Sequence, residues 1–450
     1  MKFIFALWVT KLLNRLIAII SPERGSNLSG EWALKIDSKF LTHFTGIDRN
    51  RMVFITGTNG KSSTTNLIAH IIRERGYKVI SNLEGANLLP GICTILLKNS
   101  TLSGKIKADY LILETDERSL PGIYEQLQTK HLLVTNIQKD QVQRNGDPDY
   151  IYQKIKSIVN DDVTLYLNNH EPRCKSLEDF TKSRVYFGVE KNVETFMKSA
   201  DYPTMACPKC QHGVDFQYYN VDNVGPFECP NCGFKSNDTV DYLTENIDYE
   251  NKTFTIHGVG FTMPYDLACM AYNYASALAV IENITDISLE EASNTFEKFS
   301  NLPGRYESIK YKDKTIKYMR VKQENPDTLQ TALNNMAIDK EDKMLCLGLC
   351  LVDDVVPSYM NTFYAFDCDF SLLANSNVES YYCFDPYVCY DTQNRLLLEG
   401  IDPALISVDE SDDPAVIFKA IDKSKAKNIY LITLLATYLK MKEYASKEDK

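Results

Sequence analysis

After residue 50, short apolar runs alternate with stretches of helical periodicity. RMVFITG (51–57), KVISN (78–82), ADYLILET (108–115), HLLVTNI (131–137) and VTLYLN (163–168) predict β-strands, because apolar and β-branched residues cluster over four to eight positions. KSSTTNLIAHIIRERG (61–76) predicts a helix closed by Gly76, and helical periodicity returns at 267–284, LACMAYNYASALAVIENI. Near the C-terminus, KMLCLGLCLV, ESYYCFD, ALISVD and NIYLITLLA predict further buried strands between helical segments. Such alternation predicts an α/β chain with mostly parallel sheets covered by helices. No internal repeat or low-complexity tract is evident.

Cys pairs, Pro, Gly and Asn break the alternation over residues 200–240, and NLPGRYES (301–308) looks like a hinge. At about 150 residues per domain, the chain's length suggests two or three domains. The expected layout is a lead-in at 1–45, a central domain at 46–300 with an insertion at 200–240, and a last domain at 301–450. The charged end of the chain is expected to fray.

The first twenty residues, MKFIFALWVTKLLNRLIAII, are apolar but interrupted by Lys11, Asn14 and Arg15. A membrane-spanning helix needs about 20 residues with few charges. On a helical wheel Phe3, Leu7, Trp8 and Leu12 lie near one face, with Lys11 and Arg15 away from it. Two readings fit: a helix lying on a membrane surface, or one packed on the protein's own first domain.

Composition narrows the function. A net charge of −11 with no basic, aromatic-rich patch argues against nucleic acid as a partner. Of twelve cysteines, eight (93, 174, 269, 346, 350, 368, 383 and 389) are scattered through apolar or mixed sequence. Free thiols of that kind suit a reducing interior, so an intracellular protein is expected.

The first chemical signal is ITGTNGKSSTTN, residues 55–66. A strand, a glycine turn and a helix start point backbone N–H groups at one spot, where a phosphate can bind. Lys61 would supply a point charge, and the Ser62 hydroxyl a ligand for Mg²⁺. The form is G-T-N-G-K-S, with Ile55 where the common P-loop pattern has Gly. LILETDE (111–117) ends a second strand with three carboxylates, and Glu114 is placed to assist that Mg²⁺. VTNIQKDQ (134–141) is another strand with a polar end.

The second signal is a cysteine set. Cys207 and Cys210, then Cys229 and Cys232, form two C-x-x-C knuckles with 18 residues between them. Four thiolates at this spacing can surround Zn²⁺, and four protein ligands leave no open position, so the metal would be structural. It would stabilise an insertion too small for its own core.

GTNGKS after a strand, PGRYE before a final domain and the three-part α/β layout resemble the Mur ligases. The cysteine ribbon, with GSNLSGEWALKID, SNLEGANLLPGI, LETDERSL, TNIQKDQVQRNGD and AYNYASALA in order, is similar to the MurT branch. The resemblance runs from about residue 24 to the C-terminus. It implies a P-loop central domain with a parallel sheet, an inserted four-cysteine zinc ribbon and a Rossmann-like α/β C-terminal domain. It also implies an ATP-dependent carbon–nitrogen ligase that converts the D-glutamate α-carboxylate of the lipid II stem peptide to D-isoglutamine, through an acyl phosphate. Ammonia would come from a GatD-like glutaminase subunit. By position, Thr58, Asn59, Gly60, Lys61 and Ser62 would hold ATP and Mg²⁺, Glu114 would assist, and Asn273 and Arg305 would contact the nucleotide. The histidines support a partner independently. All six precede residue 258, so a Cys–His glutaminase pair cannot be built within the last domain.

Three positions depart from the family pattern. The Asp expected to complete the partner's Cys–His pair falls on Asn361, within DDVVPSYMNTFYAFD (353–367). Asn can orient an imidazole, but it cannot stabilise an imidazolium by charge. The Lys of the family's Lys-Asn-Pro is Glu324, and the second Asn of its Y-N-x-x-N motif is Ser276. These changes keep two alternatives open: a carboxylate–amine ligase of the same fold with another substrate, and a nucleotide-binding paralogue without turnover.

Overall fold

A computed structural model describes residues 2–20, 27–82, 86–198, 205–265, 267–299, 306–322, 324–349 and 364–448. The chain divides into two compact units. The first holds Met1–Gln138, Pro148–Phe196 and Thr204–Asn301; the second holds Leu302–Lys450 together with the short segments Lys139–Asp147 and Met197–Pro203.

The first unit is built on a nine-stranded sheet: β1 (Met52–Thr56), β2 (Val79–Ser81), β3 (Tyr110–Glu114), β4 (His131–Val134), β5 (Thr164–Asn168), β6 (Arg184–Val189), β9 (Tyr242–Asp248), β10 (Thr253–Ile256) and β11 (Val259–Thr262). Between them, β7 (Asp215–Phe216) and β8 (Phe227–Glu228) pair only with each other, in a small ribbon. Across the large sheet the order is β11-β10-β9-β6-β5-β4-β1-β3-β2. From β2 to β9 every pairing is parallel; β9, β10 and β11 close the edge antiparallel.

Every residue of β1 is buried, as a central parallel strand requires. Its side chains alternate between two cores: Val53 and Ile55 join one, Met52 and Phe54 the other. Helices α1 (Lys2–Ile20), α2 (Leu28–Ile36), α3 (Lys61–Glu74), α4 (Leu89–Asn99) and α5 (Ala268–Ile284) cover the sheet. Leu67, Ile68, Ile71 and Ile72 of α3 pack with α5 on the first face. Ala6 and Leu7 of α1, Ala33 of α2 and Ile92 and Leu96 of α4 pack on the second.

The first helix therefore packs on its own unit, but not by the face expected. Leu7 is buried and Phe3 packs against Phe40 and Phe44, while Trp8 and Leu12 point outward. Gly104 makes room for this contact. A Cβ at that glycine would meet the Phe3 ring at 2.5 Å.

The second unit carries a six-stranded sheet of β12 (Tyr306–Tyr311), β13 (Lys314–Arg320), β14 (Lys343–Gly348), β15 (Val378–Phe384), β16 (Ile406–Asp409) and β17 (Asn428–Thr433), ordered β12-β13-β17-β14-β15-β16. Only the β12–β13 hairpin is antiparallel. Helix α6 (Pro326–Ile338) follows β13. The run NIYLITLLA is a strand only to Thr433, and a helix starts at Leu435. The hairpins at β9–β11 and β12–β13 carry no apolar run strong enough to predict them. Arg305 and Asn361 lie outside the described residues.

Candidate active site and metal centre

β1 lies between β4 and β3, so three strand ends meet above its C-terminus, with Ile55 opposite Glu114 and Thr56 opposite Val134. Ligands in open α/β sheets bind in such a crevice. The turn leaving β1 runs through Gly57 and Gly60, whose φ values are 121° and 85°. Both glycines are required by space as well as by angle. A Cβ on Gly57 would meet Thr135 Oγ1 at 2.3 Å, and one on Gly60 would meet Asn273 Oδ1 at 2.4 Å. Asn273 of α5 thus stands directly against the phosphate turn.

The segment after β4 straps this turn in place. Thr58 N–H donates to Asn136 O at 2.8 Å, and Asn59 N–H to Asn136 Oδ1 at 2.9 Å. Thr135 Oγ1 donates to Asn59 O at 2.7 Å. The Thr58 hydroxyl donates to Gln138 O and accepts from Gln138 N–H. Its side chain is therefore committed to holding the loop. Thr135, Asn136 and Gln138 were invisible as site residues in the sequence, where VTNIQKDQ showed only a polar strand end.

Lys61 opens α3 with its ammonium turned back over the loop. It donates to Gly57 O and, at 2.7 Å, to Glu117 Oε1. The same carboxylate oxygen accepts the Gly57 N–H at 3.1 Å. A carboxylate thus sits on the cation and the N–H of a turn of the kind that receives phosphate. Ser62 is half-buried on the first turn of α3.

Glu114 ends β3 almost fully buried. Its Oε1 accepts from Asn87 Nδ2 at 2.9 Å, and its backbone is clamped by Asn82 on both N–H and C=O. Glu114 thus presents a buried, fixed carboxylate at the end of β3, the strand beside β1. Ser276, one helical turn beyond Asn273, donates its hydroxyl to Asn273 O at 3.1 Å.

In the second unit, Asn325 caps α6 by accepting from Thr328 N–H and donates to Asp140 at 3.0 Å. Glu324 is buried, in the left-handed region at φ 50°. Asp367 pairs with Lys139, and Asp369 accepts from the backbone and hydroxyl of Ser371.

The ribbon in the first unit brings the four cysteines together. Their sulfurs all lie within 4.8 Å of one another, with Cys207 to Cys232 at 3.7 Å and Cys210 to Cys229 at 3.5 Å. Zn–S bonds of about 2.3 Å would set sulfurs about 3.8 Å apart in a tetrahedron, so the set fits such an ion. The two knuckles have the same backbone. Gln211 N–H bonds Cys207 O and Gly233 N–H bonds Cys229 O, with φ of 66° at Gln211 and 71° at Gly233. Around the cluster, Val214, Phe216, Tyr219, Phe227 and Phe234 form a small satellite core.

Comparison with known proteins agrees with this geometry. The family model of the Mur ligase middle domain matches residues 55–219, and that of the MurT ligase C-terminal domain matches residues 323–441. The chain is 28% identical over 370 residues to the MurT subunit of lipid II isoglutaminyl synthase (glutamine-hydrolyzing) from Staphylococcus aureus (strain COL), covering 80% of this chain and 79% of that one. It is 27% identical over 434 residues to the Streptococcus pneumoniae (strain ATCC BAA-255 / R6) protein of the same name, covering 94% and 92%. A pseudomurein peptide ligase type C from Methanothermus fervidus has the same fold, with TM-score 0.67 and 17% identity over 92% of this chain and 81% of that one. So does the MurF ligase from Thermotoga maritima in complex with ADP, with TM-score 0.55 and 15% identity over 94% and 85%.

A glycine turn with Lys and Ser at the switch point of a parallel sheet, followed by a second α/β unit, is the arrangement of an ATP-dependent ligase. The chain carries a Mur ligase middle domain and a MurT ligase C-terminal domain.

Proposed function

We propose that this chain is the ligase subunit of a lipid II-amidating enzyme. The D-glutamyl α-carboxylate of the stem peptide attacks the γ-phosphorus of ATP, and ADP leaves. Ammonia then attacks the acyl carbon of the acyl phosphate, inorganic phosphate departs, and the D-isoglutamine amide remains. A GatD-like glutaminase subunit supplies the ammonia, and the pair works at the inner face of the membrane, where a lipid-linked substrate lies.

The observation that supports this reading most strongly is the union of a Mur-type phosphate turn and a MurT-type last domain in one chain, aligned over 94% of its length with a MurT subunit. In this reading Thr58 and Asn59, whose N–H groups bond Asn136, shape the turn, the backbone of Gly60, Lys61 and Ser62 at the start of α3 receives the phosphates, the Lys61 ammonium holds the outer phosphates, and Asn273 borders the nucleotide. Arg305 is assigned to the nucleotide, and Asn361 to the partner's imidazole, by position alone. Mg²⁺ held by Ser62 and Glu114 would neutralise phosphate charge. Zn²⁺ on Cys207, Cys210, Cys229 and Cys232 would be structural.

The test is an incubation of the purified chain with ATP, Mg²⁺, lipid II and ammonium, with and without the partner. ADP release together with an amidated muropeptide by mass spectrometry is expected. Glu324, an acid where the family has a cation, favours a second reading, a paralogue that binds nucleotide without turnover. Nucleotide binding with no amidated product under any of these conditions would select it.

A further inference from the structure

We propose that the outer face of α1, with the neighbouring α2 and the 94–108 segment, is a docking surface for an anionic lipid bilayer. Phe5, Trp8, Val9, Leu12 and Leu16 recur along one side of α1 at helical spacing. All five are exposed, Phe5 by 62%, Trp8 by 57% and Leu12 by 61%. This is a second apolar face, separate from the one that Ala6, Leu7 and Ile17 bury against the unit. Contiguous apolar surface of this kind marks an interaction site.

Three observations select a lipid surface as the occupant. The chain has two tryptophans, and both stand here, since Trp32 of the adjoining α2 is exposed by 48%. Trp8 fixes its polar end by donating to Leu102 O at 2.8 Å, which leaves its ring faces outward, and Leu102 is itself exposed. Indoles anchored by one polar end suit a headgroup boundary.

Charge is the second observation. The protein's net charge is −11, yet α1 carries Lys2, Lys11 and Arg15 and no acid. The segment 94–108 packed beside it adds Lys98, Lys105 and Lys107, again with no acid. In α2, Glu31 is balanced by Lys35, which stacks over Trp32 at 5.1 Å. This local excess complements anionic headgroups, while the rest of the chain repels them.

Orientation is the third. Lys11 is bound to the carbonyls of Leu97 and Ser100 at 2.6 and 2.7 Å, which ties α1 flat along α4. Among the described residues no helix is long and apolar enough to cross a membrane. A helix held flat, apolar outside and flanked by cations lies in the interface plane.

The inference names the surface that a lipid-linked substrate calls for, and to that extent rests on the reading above. Its test involves neither ATP nor substrate, so the two can fail separately. The full chain is sedimented with vesicles of phosphatidylglycerol and phosphatidylcholine, and with phosphatidylcholine alone. The Trp32→Phe variant leaves Trp8 as the sole indole. Expected are co-sedimentation with the anionic vesicles, a blue shift of Trp8 emission, and binding weakened about tenfold by high salt or neutral lipid. Leu12→Glu with Leu16→Glu should lower binding at least about tenfold without moving the thermal midpoint, because neither side chain is in the core. Equal binding by that variant, or no binding to anionic vesicles, overturns the proposal. So does self-association without lipid that the same substitutions abolish, which would assign the face to a second copy.

Discussion

In the proposed function, Glu117 competes with nucleotide phosphate for Lys61. The Lys61 and Glu117 side chains are 13% and 10% exposed and 2.7 Å apart, so the pair is largely shielded from water. At an effective dielectric constant of about 20, unit charges at that separation attract by roughly 6 kcal/mol. Desolvation offsets most of this, and removing one partner of such a buried pair typically costs about 3–5 kcal/mol. Glu117 also accepts the Gly57 N–H at 3.1 Å, so it occupies two of the groups the turn offers to phosphate. Glu117→Gln keeps the shape and the acceptor but removes the charge. Two opposite effects are expected. The nucleotide-free protein should lose up to about 3 kcal/mol, the low end of that range because Gln keeps the acceptor while the charge beside Lys61 is removed. ADP affinity measured without Mg²⁺ should rise about tenfold, or about 1.4 kcal/mol, because the competing anion is gone. Isothermal titration with ADP and differential scanning calorimetry of the same preparation read both. If Glu117→Gln binds ADP tenfold more weakly, Glu117 is part of the ligand's own site and the competition argument is wrong.

Gly60→Ala would place a Cβ 2.4 Å from Asn273 Oδ1 at a φ of 85°, and should weaken ADP binding at least about tenfold in the same titration; the paired change with Asn273→Ala should recover part of it. Elemental analysis of the purified chain should find one zinc per chain, and Cys229→Ser should abolish it and expose the 205–236 region to limited proteolysis, because zinc binding contributes on the order of 10 kcal/mol to such a ribbon. Metal-free protein with a protease-resistant ribbon would contradict this. Burial holds His131 down to about 4 and His170 down to about 3, so both are neutral in the fold. Above pH 6.5 the unfolded chain is neutral at these positions too and they contribute no pH dependence. As pH falls from 6.5 toward 4, only the unfolded state takes up the protons, and each histidine removes up to about 3 kcal/mol of stability. Urea titrations between pH 7 and 5 should show this fall, and His131→Gln should flatten it.

The parts of the site legible in the sequence are those whose requirements are local. A turn that needs positive φ at two glycines before a helix start announces itself in seven residues, and so do two thiol knuckles. What remained hidden depends on strand order. Glu117 and Asn136 reach the turn only because β3 and β4 flank β1, and those strands begin 58 and 79 residues after it, at 110 and 131 against 52. A polar strand end looks the same in sequence whether it faces water or a ligand. Helix α1 illustrates the same limit from the other side. Its periodicity allows two apolar faces, and the face that goes inward packs against residues far away in the chain, among them Gly104, where a Cβ would meet the Phe3 ring at 2.5 Å. Ser276 carries the argument into chemistry. The family pattern expects a second amide there, but the hydroxyl is already turned back onto the Asn273 carbonyl. Asn273 is therefore the amide that α5 presents to the turn, close enough that a Cβ on Gly60 would meet its Oδ1 at 2.4 Å.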